Sequence, residues 1–453
     1  MGEGSFGAVY LAEYMHTPVA VKFFKQDLSE KALKKVLAEI NVMKKLRHPN
    51  IVMLMGAGVD ASKQILLLTE YVKRGDLKNC LKDIDSLARR MRIARELARG
   101  LHWCHANNIT HRDLKLENIF ITENLGVKIG DFGLAIYNPS GGGWRNFRGN
   151  VKYSAPELLR ERALRDFGSR VFPYGQHTDV YSFGLLWYEI LTRLSPFKDK
   201  PEEYKGREGQ AKYTLEGHRP KPPSKWPKEL RLLMRSCWDE TPSQRPTFAQ
   251  ILNQWDTLAE LLLLPSEDKY AKNLSRALWK DQTKLCSFDE FKAAFVNHCM
   301  VSDKVFNKDS VLLEELFKEN GQVTFENFCH VVSWYGPMDH DNNCINFFSR
   351  IRDLKQKFFR GFESKEESDN ALKSAYEDFQ EDTEFPGYFL MKYSHEEMGE
   401  FEVRYINSEG DIYTMTSFNN NGQLEINGYT LESWSKVKVF LKSKHNLSAS
   451  PKY

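Results

Sequence analysis

Hydrophobic and polar positions divide the chain into segments of different period. Ala8-Val-Tyr-Leu-Ala-Glu-Tyr14 and Val19-Ala-Val-Lys22 have the composition of strands, rich in β-branched and aromatic residues. Both follow a glycine-spaced opening, Gly2-Glu-Gly4-Ser-Phe-Gly7. Residues 30–46 read as a helix, and Ile65-Leu-Leu-Leu68 as a short buried strand. Asp179-Val-Tyr-Ser-Phe-Gly184 opens a largely apolar helix. Residues 266–340 carry helical spacing, as in Phe288, Phe291 and Phe295, then Leu312, Leu313, Leu316 and Phe317. Phe401-Glu-Val-Arg-Tyr-Ile406 and Asp411-Ile-Tyr-Thr-Met-Thr416 alternate as strands, and 430–445 reads as a closing helix. The mixture predicts an α+β multidomain chain.

Length and charge sharpen this division. The 453 residues suit two or three domains. Hydrophobic residues make up 41% and charged residues 28%, as in ordinary globular proteins. The net charge of +3 hides two unlike halves. Residues 1–264 hold 41 Lys+Arg against 30 Asp+Glu, a net of +11; residues 265–453 hold 23 against 31, a net of −8. The first boundary is therefore expected at about 260–268, and the two halves should attract each other in low salt. The whole-chain charge gives no case for nucleic acid as a partner. No apolar run approaches the roughly 20 residues a membrane span needs. Seven cysteines without a CxxC pair suit reduced thiols in a cytoplasmic protein.

The chemistry starts at the glycines. A dinucleotide-binding reading of GxGxxG requires a helix directly after the third glycine. Here strand-like residues follow Gly7 and lead to Val19-Ala-Val-Lys22. That arrangement resembles the protein kinase family. The resemblance continues through His111-Arg112-Asp113-Leu-Lys115-Leu-Glu-Asn118, Asp131-Phe132-Gly133, Ala155-Pro156-Glu157, Asp179 and Arg245. It implies a bilobal fold over 1–264, with ATP and Mg as cofactors and protein substrates as partners. Gly2, Glu3, Gly4, Ser5, Phe6 and Gly7 would cover the phosphates, and Lys22 would hold them with Glu39 as counter-charge. Thr69 resembles a small gatekeeper, and backbone groups of Glu70 and Val72 would bond the adenine. Val9, Ala20 and Phe120 would sandwich that ring. Asp113 would take the proton of the attacking hydroxyl, with Lys115 beside it. Asn118 and Asp131 would ligate magnesium through oxygen.

Two cues conflict on the hydroxyl. Lys115 resembles serine/threonine kinases, while Val151-Lys152 echoes tyrosine kinases and Asn150 replaces the usual threonine. The expectation is Ser/Thr transfer, with dual specificity open. Arg112 before Asp113 implies control by charge on the activation loop, where Ser140 and Tyr137 are the candidate phosphosites. A loop that orders without phosphate is the alternative. Only Met1 precedes Gly2, so the opening strand is expected to lack its first half, which would lower activity.

The second half resembles two modules. Residues 265–344 are similar to the EF-hand-like helical linkers that precede phosphotyrosine-reading domains. No calcium-loop motif occurs, and Asp339-His340-Asp341 reads as a solvated loop. Residues 345–453 resemble a Src-homology 2 (SH2) domain, an antiparallel sheet flanked by two helices. Phe358–Glu367 would form its opening, and Gly387-Tyr-Phe-Leu-Met-Lys392-Tyr-Ser394 its phosphate-binding strand. Lys392 stands where that family has arginine, and Lys365 replaces a helix arginine. Lysine gives a point contact where arginine gives a fork. Phosphotyrosine proteins held through Lys392, Lys365 and Ser394 are one expectation; a docking module that reads no phosphate is the other. The order of kinase, linker and SH2-like module resembles the SH2-bearing, tyrosine-kinase-like kinases of amoebae. It implies cytoplasmic signalling, with peripheral recruitment to membranes by partners. A catalytically weak kinase scaffold with a recruiting tail is the alternative.

Overall fold

The computed structural model describes residues 2–4, 7–24, 29–62, 64–84, 86–138, 149–163, 175–264, 268–279, 285–319, 321–338, 344–352, 369–370, 372–373, 388–393, 400–406, 411–420, 423–426, 429–431, 436, 440–441 and 448–449. They form two compact units, Met1–Ile84 with Arg89–Leu258, and Asp85–Ala88 with Ala259–Tyr453. No helix among the described residues is long and apolar enough to cross a membrane.

The first unit begins with an antiparallel sheet. Its strands are β1 Gly2–Gly4, β2 Gly7–Tyr14, β3 Thr17–Phe24, β4 Leu54–Val59 and β5 Ile65–Glu70, in the order β1-β2-β3-β5-β4. β1 and β2 meet at Gly4↔Gly7. In β3 the alternation buries Val19 and Val21 on one face and leaves Ala20 and Lys22 on the other. Register then places Val9 opposite Lys22, Leu11 opposite Ala20, and Thr69 opposite Ala20. Val9, Ala20, Lys22 and Thr69 thus share one sheet face, although they span 60 positions of sequence. In the expected buried strand Ile65–Leu68, burial reaches only Leu67; Ile65, Leu66 and Leu68 are half-buried.

Between β3 and β4 lies α1, Glu30–Lys45. Helices then dominate: α2 Leu77–Cys80, α3 Leu87–Ala106, α4 Pro156–Ala163, α5 Gln176–Thr192, α6 Gly206–Leu215, α7 Lys228–Cys237 and α8 Phe248–Leu263. α5 is apolar nearly all round and, apart from half-buried Ser182, buried from Thr178 to Leu191. Around it Trp187 stacks on Trp255, with ring centroids 4.9 Å apart, and Phe183 meets Phe248 edge-on. Two small ribbons lie on this helical body: β6 Ile109–Thr110 with β9 Ile136–Tyr137, and β7 Ile119–Ile121 with β8 Val127–Ile129. A sheet-built small lobe and a helical large lobe make this the bilobal kinase fold.

In the second unit, α9 Lys269–Leu278 is capped by the Asp268 side chain. α10 Phe288–His298 begins with a Ser287/Glu290 capping box. α11 Asp303–Lys308, α12 Ser310–Phe317, the ribbon β10 Lys318–Glu319 with β11 Gln322–Val323, and α13 Phe325–Tyr335 follow. Phe291, Phe295, Phe306, Phe317 and Phe328 form their fully buried aromatic core. α14 Ile345–Arg352 comes next. A six-stranded sheet completes the unit: β12 Tyr388–Tyr393, β13 Glu400–Ile406, β14 Ile412–Asn420, β15 Gln423–Ile426, β16 Tyr429–Leu431 and β17 Ser448–Ala449, in the order β16-β15-β14-β13-β12-β17. One expectation needs correcting. The closing helix read over 430–445 gives way at its start to strand β16, because Tyr429-Thr-Leu431 pairs with β15. Helix is present at Lys436 and Phe440–Leu441.

Candidate active site

The glycine-spaced opening is a hairpin. Gly2, Glu3 and Gly4 lie in β1 and Gly7 starts β2; Ser5 and Phe6 lie outside the described residues. Glycine at the paired ends lets the backbone approach a bound anion closely. From β3, the Lys22 ammonium reaches α1 and donates to Glu39 Oε1 at 2.7 Å and Oε2 at 3.1 Å. The same ammonium stands 3.9 Å from Asp131 Oδ1. Burial raises the Glu39 carboxyl above its ordinary value; the Lys22 charge and hydrogen bond oppose that, and the Asp131 charge adds to it. Lys22 therefore has two carboxylates near it, one buried and one facing solvent.

Asp131 begins the second cluster. Its side chain is 48% exposed, and its backbone is left-handed at φ 57°. Phe132 beside it is fully buried, its ring 5.0 Å from that of His111. His111 Nε2 bonds the Gly130 carbonyl at 3.0 Å, and the Asp113 N–H donates to His111 Nδ1 at 3.3 Å. The proton thus belongs on Nε2. Behind them the buried Asp179 accepts the His111 and Arg112 N–H groups at 2.8 and 3.0 Å, and bonds His105 at 2.9 Å. Burial pushes the Asp179 carboxyl up, but the His105 hydrogen bond and the neighbouring donors outweigh it and hold the group below its ordinary value.

Asp113 itself is nearly buried. Its Oδ2 accepts from Lys115 Nζ at 2.7 Å and from Asn118 Nδ2 at 3.1 Å. Asn118 Nδ2 also donates to the Asp113 carbonyl at 2.8 Å. These bonds turn the Asn118 amide nitrogen toward Asp113 and leave its oxygen for another partner. The Gly130 N–H donates to the Asn118 carbonyl at 2.9 Å, which ties Asn118 to the residue before Asp131. A cleft beside Asp113 is lined by Asn150, Tyr153, Ser154 and Thr178.

The other expected positions are also placed. Val9, Ala20, Thr69 and Phe120 are half-buried, and Val72 is buried just after β5. Tyr137 ends β9 and is exposed. Lys392 lies in β12 opposite Glu402. Ser140, Lys365 and Ser394 lie outside the described residues.

Three arrangements had no signal in the sequence. Glu70 Oε1 accepts from the Met53 N–H at 2.7 Å and from Lys128 Nζ at 2.8 Å, so it ties β5 to the start of β4 and to β8. Buried Glu189 accepts from Lys152 Nζ at 2.8 Å and Tyr153 OH at 2.7 Å, anchoring 151–153 on α5. Burial, and the Glu189 charge next, push the Tyr153 hydroxyl far above its ordinary value. In the second unit, buried Arg404 donates to Asp369 Oδ1 and Thr414 Oγ1, each at 2.9 Å. Except for Arg404 and Thr414, cross-strand neighbours ten positions apart, these partners lie 17 or more positions from one another, so neither residue marks the other locally.

The oxygen donors suit a hard divalent cation: an amide oxygen from Asn118 and a half-exposed carboxylate from Asp131. Among the described residues no three His, Cys, Asp or Glu side chains converge on one point. Such a cation completes its shell with oxygens of water or of a phosphate-bearing ligand.

Comparison with known proteins agrees with this geometry. The protein tyrosine and serine/threonine kinase family matches residues 1–255. The dual specificity protein kinase shkA of Dictyostelium discoideum is 30% identical over 94% of this chain and 82% of its own length. Its relative shkC is 30% identical over 91% and 81%. The serine/threonine-protein kinase VIK of Arabidopsis thaliana is 35% identical over 58% of this chain and 59% of its own. The chain thus belongs to the protein tyrosine and serine/threonine kinase family, whose members take a phosphoryl group from ATP with the help of a divalent metal.

Proposed function

We propose that this chain is an ATP- and magnesium-dependent kinase of protein Ser and Thr hydroxyls that also accepts Tyr. In this reading Gly2, Gly4 and Gly7 approach the phosphates. Lys22, held by Glu39, grips them. Val9, Ala20 and Phe120 enclose the adenine, and the Glu70 carbonyl and Val72 N–H bond its edge beside the gatekeeper Thr69. Asn118 and Asp131 would hold the magnesium, which would supply positive charge beside the phosphates. Asp113 orients the acceptor hydroxyl and takes its proton, and Lys115 offers positive charge where the phosphoryl group moves. The observation that carries the reading is Lys115 Nζ on Asp113 Oδ2 at 2.7 Å. It puts the expected base and the expected phosphoryl contact in one hydrogen-bonded pair. The relatives named as dual specificity kinases support acceptance of both hydroxyl classes. Phosphoamino-acid analysis of a mixed peptide array after incubation with the purified chain checks this. Phosphoserine or phosphothreonine is expected with a smaller phosphotyrosine fraction; phosphotyrosine alone would contradict it.

For the second half we propose a helical linker over 265–344 and an SH2-like module over 345–453, serving recruitment in cytoplasmic signalling. The antiparallel sheet centred on β12, β13 and β14 supports the module. Phosphate reading there is expected to be weak. Lys392 is the register partner of Glu402, and lysine offers a phosphate a point contact where arginine offers a fork. Fluorescence titration with phosphotyrosine peptides should give binding that Lys392→Ala weakens about tenfold or more. Binding unchanged by that substitution would remove Lys392 from the role.

A further inference from the structure

All seven cysteines are free and buried. Two of them, both in the second unit and 45 positions apart, lie side by side. Cys299 closes α10, where its N–H donates to the Phe295 carbonyl at 2.9 Å. Cys344 stands just before α14, where its carbonyl accepts the Phe348 N–H at 2.9 Å. Between the two helices the Phe295 ring meets those of Phe347 and Phe348, with centroids 6.3 and 5.9 Å apart. Each cysteine therefore lies one turn from that aromatic contact. Cys299 is 3% exposed and Cys344 1%, and their thiols share a hydrogen bond. Cys344 also holds a left-handed backbone at φ 58°, uncommon outside glycine, asparagine and aspartate. Such strain persists only where the surroundings enforce it, and it is a pointer to function. Phosphoryl transfer uses neither residue.

We propose that Cys299 and Cys344 are a latent redox pair, which a hydroperoxide joins in a disulfide that pins α14 onto α10. In the closed structure the shared hydrogen bond, and burial next, push the Cys299 thiol far above its ordinary value. A buried, protonated thiol is inert. Local opening of α14 brings water to the pair and lets a thiolate form. That thiolate attacks one oxygen of hydrogen peroxide. The O–O bond breaks, the leaving oxygen takes a proton and departs as water, and a sulfenic acid remains. When α14 closes, the second sulfur attacks the sulfenic sulfur, the S–O bond breaks, and a second water leaves with the thiol proton. Two thiols thus lose two electrons in all, and one peroxide is reduced to two waters. A dithiol reductant reverses the bond by exchange. The crosslink joins the end of α10 to the start of α14, so α14 can no longer leave the aromatic core of the helices before it.

The test treats the full chain with hydrogen peroxide, digests it without reductant and maps crosslinked peptides by mass spectrometry. Thermal unfolding is recorded before and after. Met300, the next residue and 75% exposed, reports through its sulfoxide that peroxide has acted. A Cys299–Cys344 crosslink is expected, with the second unit's unfolding temperature raised by about 5–10 °C, as befits closure of a long loop. Dithiothreitol should remove both effects. Cys299→Ser and Cys344→Ala, each treated alike, should give neither the crosslink nor the rise. Oxidised Met300 with both thiols intact overturns the proposal. So does a crosslink to other cysteines in place of this pair, or a rise in unfolding temperature that survives either substitution.

Discussion

Replacing Asp113 with asparagine is expected to lower kcat by about 10²–10⁴-fold, the usual range for a positioned base. The substitution keeps size and shape, so packing around His111 and Asp179 should persist. It removes the negative charge that Lys115 and Asn118 now address at 2.7 and 3.1 Å. An amide cannot take the hydroxyl proton, and if its nitrogen replaces Oδ2 it meets the Lys115 ammonium with donors only. The loss should appear in kcat and kcat/KM alike, because the interaction belongs to the transition state. The KM for ATP should change little, since Lys22, Glu39 and Asp131 stay in place. Steady-state kinetics with a protein substrate measure this. A fall in kcat below about tenfold would mean that Asp113 is not the base.

Arg245→Leu should cost the first unit roughly 3–5 kcal/mol, the range for removing one partner of a buried pair. The Arg245 side chain is 0% exposed, and its guanidinium meets the Glu157 carboxylate in a two-pronged contact at 2.7 and 2.8 Å. It also donates to the Asp239 and His177 carbonyls and lies 5.0 Å from the Tyr181 ring. Removing it leaves the half-buried Glu157 without its arginine and leaves two carbonyls without these donors. Thermal unfolding of the first unit should therefore fall by roughly 10 °C, at about 2–4 °C per kcal/mol for a domain of this size. The double change Arg245→Leu with Glu157→Leu should recover part of the loss, because it removes the stranded charge as well. A single-variant shift under about 2 °C would show that the pair contributes little.

The motif residues were legible because the chemistry demands particular residue types at short spacings. Asp113, Lys115 and Asn118 lie within six positions, and the structure brings them into one hydrogen-bonded group. Lys22 and Glu39 were legible as a strand–helix pair, and they meet at 2.7 Å. What escaped notice were partners fixed only by the folded chain. Glu70 and Lys128 meet across the two lobes' strands, and Glu189 collects Lys152 and Tyr153 from 36 or 37 positions away. Nothing local in a lone glutamate on an apolar helix names its donors. Strand pairing also outweighed local pattern at Tyr429–Leu431, where β15 recruits residues that read as a helix start.

The central claim is phosphoryl transfer by this chain, as opposed to a scaffold with an inert kinase fold. Transfer of labelled γ-phosphate from ATP to a protein substrate tests it most directly, with wild type and Asp131→Ala purified and assayed in parallel. Asp131 sits 3.9 Å from Lys22 with its carboxylate half-exposed, and alanine there removes an expected metal ligand. Label is expected with wild type and, after matching for protein, at least about a hundredfold less with the variant, as befits the loss of metal-assisted charge neutralisation. Equal incorporation by the two proteins, or none by either, would contradict the account.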